Sequence, residues 1–369
     1  MKRKTLIHAS VFTLSCVLTI AAGELYCRHT NRPNKFQPIM AAMDPLTRFA
    51  VADPFLGYSN RPNESFTMRQ VVGSPVSTTD QYGYRNGYKW PADTDIPIIL
   101  FVGDSVTFGA EVNDDETIPS EVAKLLDGKA ACCNTASRGY NTVQAKRSIE
   151  LALERFPDRI VMVFYVYCGN DPAENVVPDV RWPLPVPILV ESTDGYQESL
   201  SETSLAWGSF IENWTNPNPP SSSWLISHSA LYMELSNTIA VFGDSPPGSP
   251  GQRHCRQYAE AVCEWARNHG SHDAFVWILQ EMNELCSSRN IVFLVAPHTY
   301  GTPHDHYPQL HSACDTLGIR CIDPSEHFPL PRDEYFAPRV DGTLDPHYNH
   351  AGTKAFADGV VSIIESYLH

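Results

Sequence analysis

The chain has 369 residues, 43% of them hydrophobic, and a formal net charge of −15. That length suits one large domain with insertions or two modest ones, with enough apolar material for a sizeable core. The acidic balance disfavours nucleic-acid binding, which needs a basic face to neutralise phosphates, and it repels anionic polymers without selecting a substrate.

Met1-Lys2-Arg3-Lys4 is a short basic segment, and an apolar run follows from Leu6 to Gly23. Positive charge ahead of such a run orients its N-terminus towards the cytoplasm and predicts export. His8, Ser10, Thr13, Ser15 and Thr19 dilute a run already at the short limit for a membrane span, and Ala21-Ala22-Gly23 resembles a small-residue cleavage site. Residues 1–28 are therefore expected to be either a removed signal peptide or a retained membrane anchor. The protein would be secreted or held at the membrane by this segment. Residues 29–95, rich in Pro, Asn and turn formers, predict a small irregular or β-containing region that joins it to the remainder. Ten cysteines in an exported chain permit disulfides, but their spacing imposes no framework. Cys314 and Cys321, flanking a helix-to-strand turn, are the best candidates for a bridge. Cys132 and Cys133 read as buried strand residues, and no Cys-x-x-Cys pair supports a structural zinc site.

From Ile96 to the end, short apolar runs alternate with amphipathic stretches, the pattern of a parallel α/β sheet. The predicted strands are Ile96–Val102, Ala130–Cys133, Ile160–Val166, Ile291–Ala296 and Ile319–Ile322. Ile160–Val166 is apolar throughout, as a strand covered on both faces must be. Helices are predicted over Ile118–Leu126, Thr142–Phe156 and Gly352–Tyr367. An insertion at about 172–290 separates the third and fourth strands. Its prolines predict loops, with helices over Ser223–Phe242 and Arg253–Cys286. Insertions of this size commonly form lids or substrate walls, or simply add packing.

The strongest local signal is Gly103-Asp104-Ser105, which ends the first strand. Open α/β sheets bind ligands at that carboxyl edge. Gly permits a sharp turn, Asp can brace the loop, and Ser is presented at the start of a helix. A capping turn would use the same residues. The second copy, Gly243-Asp244-Ser245, follows a helix and precedes two prolines, so no strand presents it. A serine hydroxyl needs a positioned base to act as a nucleophile. Leu344-Asp345-Pro346-His347-Tyr348-Asn349-His350 precedes the last helix and supplies a His with an Asp two residues away, near enough to orient the ring. His350 is a competing base without a carboxylate at such an offset. Two further turns follow the second and third strands and offer donors for an oxyanion: the Gly139 backbone N–H and the Asn170 side-chain amide.

Ser105, Gly139, Asn170 and His347 fall in the order of the four named residues of the SGNH (GDSL-like) hydrolase superfamily, and the chain resembles that superfamily from about Ile96 to Leu368. Asp80-Gln81-Tyr82-Gly83-Tyr84-Arg85 is similar to an Asn-x-x-Gly-Phe-Arg element of exported bacterial members. The resemblance implies a flavodoxin-like α/β/α sandwich with a central parallel sheet of about five strands, acting on carboxylic esters without cofactor or metal. Three positions depart from the pattern: Cys168 stands where the third block usually has glycine, Ala136 where glycine is common in the second, and Asp-x-His replaces the more usual Asp-x-x-His. The last resembles members that handle polysaccharide acetyl groups. A Gly-x-Ser-x-Gly elbow is absent, which argues against the lipase-type α/β-hydrolase fold.

The expected function is a serine esterase for short-chain esters, O-acetyl groups on carbohydrate among them. Ser105, His347 and Asp345 would form its triad, Gly139 and Asn170 its oxyanion donors, and a small-molecule or carbohydrate ester its partner. The alternatives are an O-acyltransferase in polysaccharide or cell-wall modification using the same residues, and a non-catalytic carbohydrate-binding protein that keeps the fold. His298, His304, Asp305 and His306 follow the fourth strand. They read as ordinary loop polarity, as substrate contacts or as metal ligands. Trp182, Trp207, Trp214 and Trp224 of the insertion read as core or as platforms for sugar rings.

Overall fold

The computed structural model describes residues 50–69, 71–90, 95–176, 186–200, 271–298, 307–329, 331–340, 342 and 344–368. The chain divides into two compact units, and the first (Met1–Arg48, Val180–Leu184 and Thr203–Ala259) lies outside those residues. So do the expected signal or anchor, the second Gly-Asp-Ser, the helix over Ser223–Phe242 and the four insertion tryptophans. The second unit (Phe49–Asp179, Pro185–Glu202 and Glu260–His369) carries every described element.

Two antiparallel hairpins come first, β1 (Ala50–Asp53) with β2 (Gly57–Asn60) and β3 (Ser65–Thr67) with β4 (Val76–Thr78). Next are β5 (Ile98–Gly103), the one-turn helix α1 (Ser105–Phe108), α2 (Ile118–Leu126), β6 (Ala131–Asn134), α3 (Thr142–Arg155), β7 (Ile160–Tyr167) and α4 (Asp171–Glu174). A third hairpin, β8 (Pro187–Ser192) with β9 (Gly195–Leu200), precedes α5 (Ser271–Ser287) and β10 (Val292–Pro297). The chain continues through α6 (Tyr307–Leu317), β11 (Arg320–Cys321), the hairpin of β12 (Phe336–Pro338) with β13 (Leu344–Tyr348), and α7 (His350–Ser366).

Strands β6, β5, β7, β10 and β11 lie side by side in that order, all parallel. In order of appearance along the chain this is the 2-1-3-4-5 arrangement of flavodoxin-like sandwiches, whose switch point falls between the first and third strands. Here that is the crevice between β5 and β7. Every residue of β5 is buried, and period-two alternation divides its side chains between two cores. Ile98, Leu100 and Val102 pack with Val143, Ile149 and Leu153 of α3 and Phe275, Ile278 and Met282 of α5. Ile99 and Phe101 pack on the opposite face with Ile118, Val122 and Leu126 of α2 and Phe356, Val360 and Ile364 of α7. The described elements thus form a five-stranded parallel sheet covered on both faces.

Local chemistry sets the helix starts. Thr117 caps α2 by accepting from the Ser120 N–H at 3.3 Å, and Asn141 with Gln144 forms a reciprocal capping box on α3. Asn349 accepts from the Gly352 N–H at 3.0 Å, so α7 starts at His350, two residues earlier than the pattern predicts. The insertion, read as loop up to Pro187, contains β8 and β9. Their tight turn at Thr193-Asp194 leads into Gly195 at φ 121°, and the Leu189 N–H ties the hairpin to the Asn175 carbonyl at 2.7 Å. Cys314 and Cys321 are both free thiols rather than a bridge, each in hydrogen-bonding reach of the other.

The segment ahead of β5 packs tightly against the sheet. Asp80 accepts from the Tyr82 and Tyr84 N–H groups at 2.8 and 2.9 Å, and Gly83 turns at φ 79° where a Cβ would stand 2.4 Å from the Asn60 carbonyl oxygen. Arg85 is fully buried. Its backbone N–H donates to the Asn134 carbonyl at the end of β6 at 3.0 Å, and its guanidinium meets Asp114 at 2.6 Å. The same group donates to the Gly109 and Val112 carbonyls at 3.3 and 2.9 Å and lies 5.1 Å from the Phe108 ring centroid. Burial pushes its pKa down to about 10 against the opposing pull of Asp114 and Glu111. Removing the guanidinium strips the Gly109 and Val112 carbonyls of their side-chain donor, a loss of about 1–3 kcal/mol, while Asp114 stays partly exposed with its Thr78 donors. Arg85→Met is expected to lose stability of that order in urea unfolding. A midpoint equal to the parent's would show that the loop from Gly109 to Asp114 holds itself.

Candidate active site

The carboxyl end of β5 is crowded by its neighbour. Gly103 adopts φ 148°, and a Cβ there would lie 2.9 Å from the Val166 carbonyl of β7 and 2.4 Å from Thr107 Oγ1. Only glycine fits that approach. Asp104 then caps α1, its carboxylate accepting from the Val106 N–H at 2.9 Å, and Gly109 closes the single turn in the left-handed region at φ 69°. Ser105 is thereby presented as the first residue of α1, at the crevice between β5 and β7.

The other half of the site arrives on β13. Leu344–Tyr348, ahead of the last helix, is a strand paired antiparallel with β12. Pro346 is tolerated because this ladder has only two strands. A strand sends residues i and i+2 to the same side, so Asp345 and His347 point together. His347 Nε2 lies 2.7 Å from Ser105 Oγ, and its Nδ1 is in hydrogen-bond contact with Asp345 Oδ1. The Asp345 carboxylate also accepts from the His347 N–H at 3.1 Å. His350, the competing base, faces elsewhere: its Nε2 lies 3.0 Å from Glu121 of α2.

Three charged neighbours escaped the sequence reading. Arg339 grips Asp345 Oδ2 with Nε and Nη2 at 2.9 and 2.7 Å. Glu111 is 4% exposed and brings Oε1 to 3.4 Å from His347 Nδ1. Arg138 pairs with Glu111 at 2.7 Å. An acid between Ala110 and Val112 in a buried segment was the one available signal for Glu111. Nothing in the sequence linked Arg138 or Arg339 to the site, because each reaches it through a tertiary contact.

The charges set the titration. For Asp345, burial opposes ionisation, but the His347 hydrogen bond and charge and the Arg339 contact outweigh it and hold the carboxyl well below its usual range. For His347, burial disfavours the cation, yet the Glu111 charge and the Asp345 hydrogen bond and charge raise its pKa above 6.5, with Arg138 opposing them. Glu111, Asp345 and His347 also offer ligand atoms within 4.8 Å of one another. Both carboxylates are already matched by guanidinium groups, so a cation there would compete with Arg138 and Arg339.

Gly139 lies in the turn closed by the Tyr140 N–H to the Ser137 carbonyl at 3.3 Å, with φ 72°. The first hairpin holds this turn. Asn60 Nδ2 donates to the Ala136 carbonyl at 3.2 Å, Ser137 Oγ donates to Asn60 Oδ1 at 2.6 Å, and the Tyr58 hydroxyl donates to the Arg138 carbonyl at 2.9 Å. Asn170 precedes α4, half-buried, and its amide does not cap that helix. Beside it, Asp171 accepts from the Cys168 N–H at 2.8 Å and from the Tyr165 hydroxyl. Burial and the nearby Asp104 charge push the Asp171 carboxyl well above its usual range. Cys168 is buried and its thiol is pushed well up by burial, so it packs as an inert residue where a glycine is usual. Turns 137–140 and 168–171 follow β6 and β7, the strands on either side of β5. His298 directly follows β10, buried against the Tyr348 ring with centroids 4.4 Å apart, and so belongs to the packing behind β13. His304, Asp305 and His306 lie outside the described residues.

No family model and no curated protein matches the sequence. Among solved structures, the chain is similar to a protein described as lipolytic, of the G-D-S-L family, from Desulfitobacterium hafniense, with 10% identity, a TM-score of 0.35, and coverage of 72% of this chain and 98% of that one. It is also similar to a carbohydrate acetylesterase family member from Sinorhizobium meliloti, with 10% identity, a TM-score of 0.34, and coverage of 74% and 99%. An acetyl xylan esterase from the rumen bacterium Butyrivibrio proteoclasticus gives 8%, 0.33, and coverage of 73% and 63%. Likeness at this level carries no argument about chemistry; the side chains have to supply it.

The raised pKa of His347 has two signed consequences. Protonated His347 stabilises the fold below its unfolded value near 6.5, and that contribution is lost as pH rises through the folded value. A neutral imidazole, the form able to take the Ser105 proton, appears over that same rise. The labelling rate of Ser105 by a fluorophosphonate should therefore climb with pH with a midpoint above 6.5. A midpoint below 6.5 would mean that burial, and not the carboxylates, controls His347.

Proposed function

We propose that the protein is a serine esterase that hydrolyses short-chain carboxylic esters, O-acetyl groups on carbohydrate among them. The observation that carries this reading is the 2.7 Å contact of Ser105 Oγ with His347 Nε2, with Asp345 on the far ring nitrogen, at the switch point of the sheet. His347 takes the Ser105 proton as Oγ attacks the acyl carbon. Asp345 keeps the ring in the Nδ1–H form and stabilises the imidazolium that results. The carbonyl oxygen becomes an oxyanion that accepts from the Ser105 and Gly139 backbone N–H groups and the Asn170 amide. His347 Nε2–H then protonates the departing alkoxide, and water, deprotonated by the same nitrogen, releases the acid from Ser105.

The preference for a short acyl group rests on the surroundings of the reacting pair. Asp104, Glu111, Arg138 and Asp345 line it on the described side. A long chain gains about 0.8 kcal/mol per methylene only where an apolar wall dehydrates it. The Asp-x-His spacing, which resembles that of polysaccharide-active hydrolases, points the same way. Export is part of the proposal and rests on the basic and apolar start of the sequence. Among the described residues no helix is long and apolar enough to cross a membrane.

Ser105→Ala is expected to abolish hydrolysis of a chromogenic acetyl ester while circular dichroism stays unchanged. Asn170→Ala should lower kcat by roughly 10²–10³; a rise in KM alone would make Asn170 a binding residue. Acetyl esters should exceed octanoyl esters in kcat/KM, with free acetate as the product. Acetylated oligosaccharide as the main product, when an acceptor is supplied, would instead identify a transferase.

A further inference from the structure

Taking His347 as the base of the reading above, we propose that Glu111 is its second carboxylate, a positioning residue that holds the ring in the Nδ1–H form and, through Arg138, ties the base to the turn carrying Gly139. Glu111 has no part in a Ser-His-Asp triad, yet the fold places it beside one. It follows α1 by three residues, its side chain is 1% exposed, and Oε1 is the meeting point of the His347 ring at 3.4 Å and the Arg138 guanidinium at 2.7 Å. Its Oε2 has no hydrogen-bond partner among the described residues. A buried carboxylate oxygen without a donor is costly and uncommon. A rotation of the imidazole would turn its Nδ1–H hydrogen bond from Asp345 to Glu111, the proton staying on Nδ1.

The charged groups around the ring come from every element that packs on it. Asp345 lies on β13, with Arg339 of β12's end behind it. Glu111 lies on the loop after α1, Arg138 on the turn after β6, and Asp104 ahead of Ser105, whose Oγ it meets at 3.4 Å. Two carboxylates face Nδ1, and each is matched by one guanidinium. Removing Glu111 therefore subtracts a negative charge from the ring's surroundings, and removing Arg138 leaves that negative charge unopposed. The two halves of one ion pair act on the base with opposite signs, which a purely structural salt bridge would not do. Arg138 is also the residue before Gly139, and its carbonyl is fixed by the Tyr58 hydroxyl. The pair thus links base and oxyanion turn mechanically as well as electrically.

The test follows His347 by nitrogen-15 histidine spectroscopy in the full chain, its resonance assigned by its loss in His347→Gln. Glu111→Gln should move the His347 titration midpoint to lower pH, and Arg138→Gln should move it to higher pH. Glu111→Gln/Arg138→Gln, which strands no buried charge, should still move it down. Unmoved midpoints, or shifts in one direction for both single variants, overturn the proposal. These measurements need no turnover, so a protein that hydrolyses no ester would defeat the esterase reading and leave Glu111 to be decided here. With turnover, Asp345→Asn should cost kcat about 10²-fold, because Glu111 still holds the tautomer. Asp345→Asn/Glu111→Gln should cost roughly 10⁴-fold, the loss of a triad whose acid is gone. A 10⁴-fold loss in Asp345→Asn alone would show that Glu111 gives no cover, and would also overturn the proposal.

Discussion

The buried guanidinium of Arg85 is the point from which the active edge of this molecule hangs. A charge taken fully out of water must be compensated on all sides, and the groups that compensate this one are the Gly109 and Val112 carbonyls and the Asp114 carboxylate. Those atoms close the Ser105 helix and bracket Glu111. The Arg85 backbone meanwhile continues the hydrogen bonding of β6 at Asn134. Asn134 in turn donates to the Thr107 carbonyl of α1 at 2.7 Å. One desolvated ion therefore fixes the exit of the Ser105 helix, the loop bearing Glu111 and the end of the strand that leads to the Gly139 turn.

Around His347 the electrostatics are balanced locally. Asp345 with Arg339 and Glu111 with Arg138 form two ion pairs that flank one imidazole. The chain's formal charge of −15 is thus not what the imidazole experiences. Coulomb interactions between exposed charges fade within a Debye length of about 8–10 Å, whereas the two carboxylates, Glu111 and Asp345, are buried beside the ring.

The sequence made the central sheet legible because a strand covered on both faces has no polar positions to confuse its period. β5 and β7 are nearly unbroken apolar runs, and α2 matches its predicted bounds to the residue. The Ser105, Asp345 and His347 grouping was legible too, since a glycine-led turn after a strand and an Asp-x-His before a helix are local signals. What escaped was set by distant contacts. β13 was hidden by Pro346 and by polar side chains whose partner strand lies across a loop. The β8–β9 hairpin was hidden among prolines. Glu111, Arg138 and Arg339 have no mutual spacing in sequence, and only folding brings them to one ring. Cys314 and Cys321 show the reverse failure: a favourable position in the chain does not make a bond, and the structure keeps both as thiols.

The hairpin that holds the Gly139 turn makes the leading segment part of the sheet's own structure. Tyr58 and Asn60 reach across some eighty residues to fasten the backbone of residues 136–138, and the Tyr140 hydroxyl returns the contact to the Tyr58 carbonyl at 3.0 Å. A chain trimmed to the first strand of the central sheet would keep Ser105 and most of both apolar cores, but neither Tyr84 nor Arg85. It would also lose the clasp on residues 136–138, beside a glycine in the left-handed region. A sheet that reads as self-sufficient in the sequence is thus finished by the hairpins and loop that precede it.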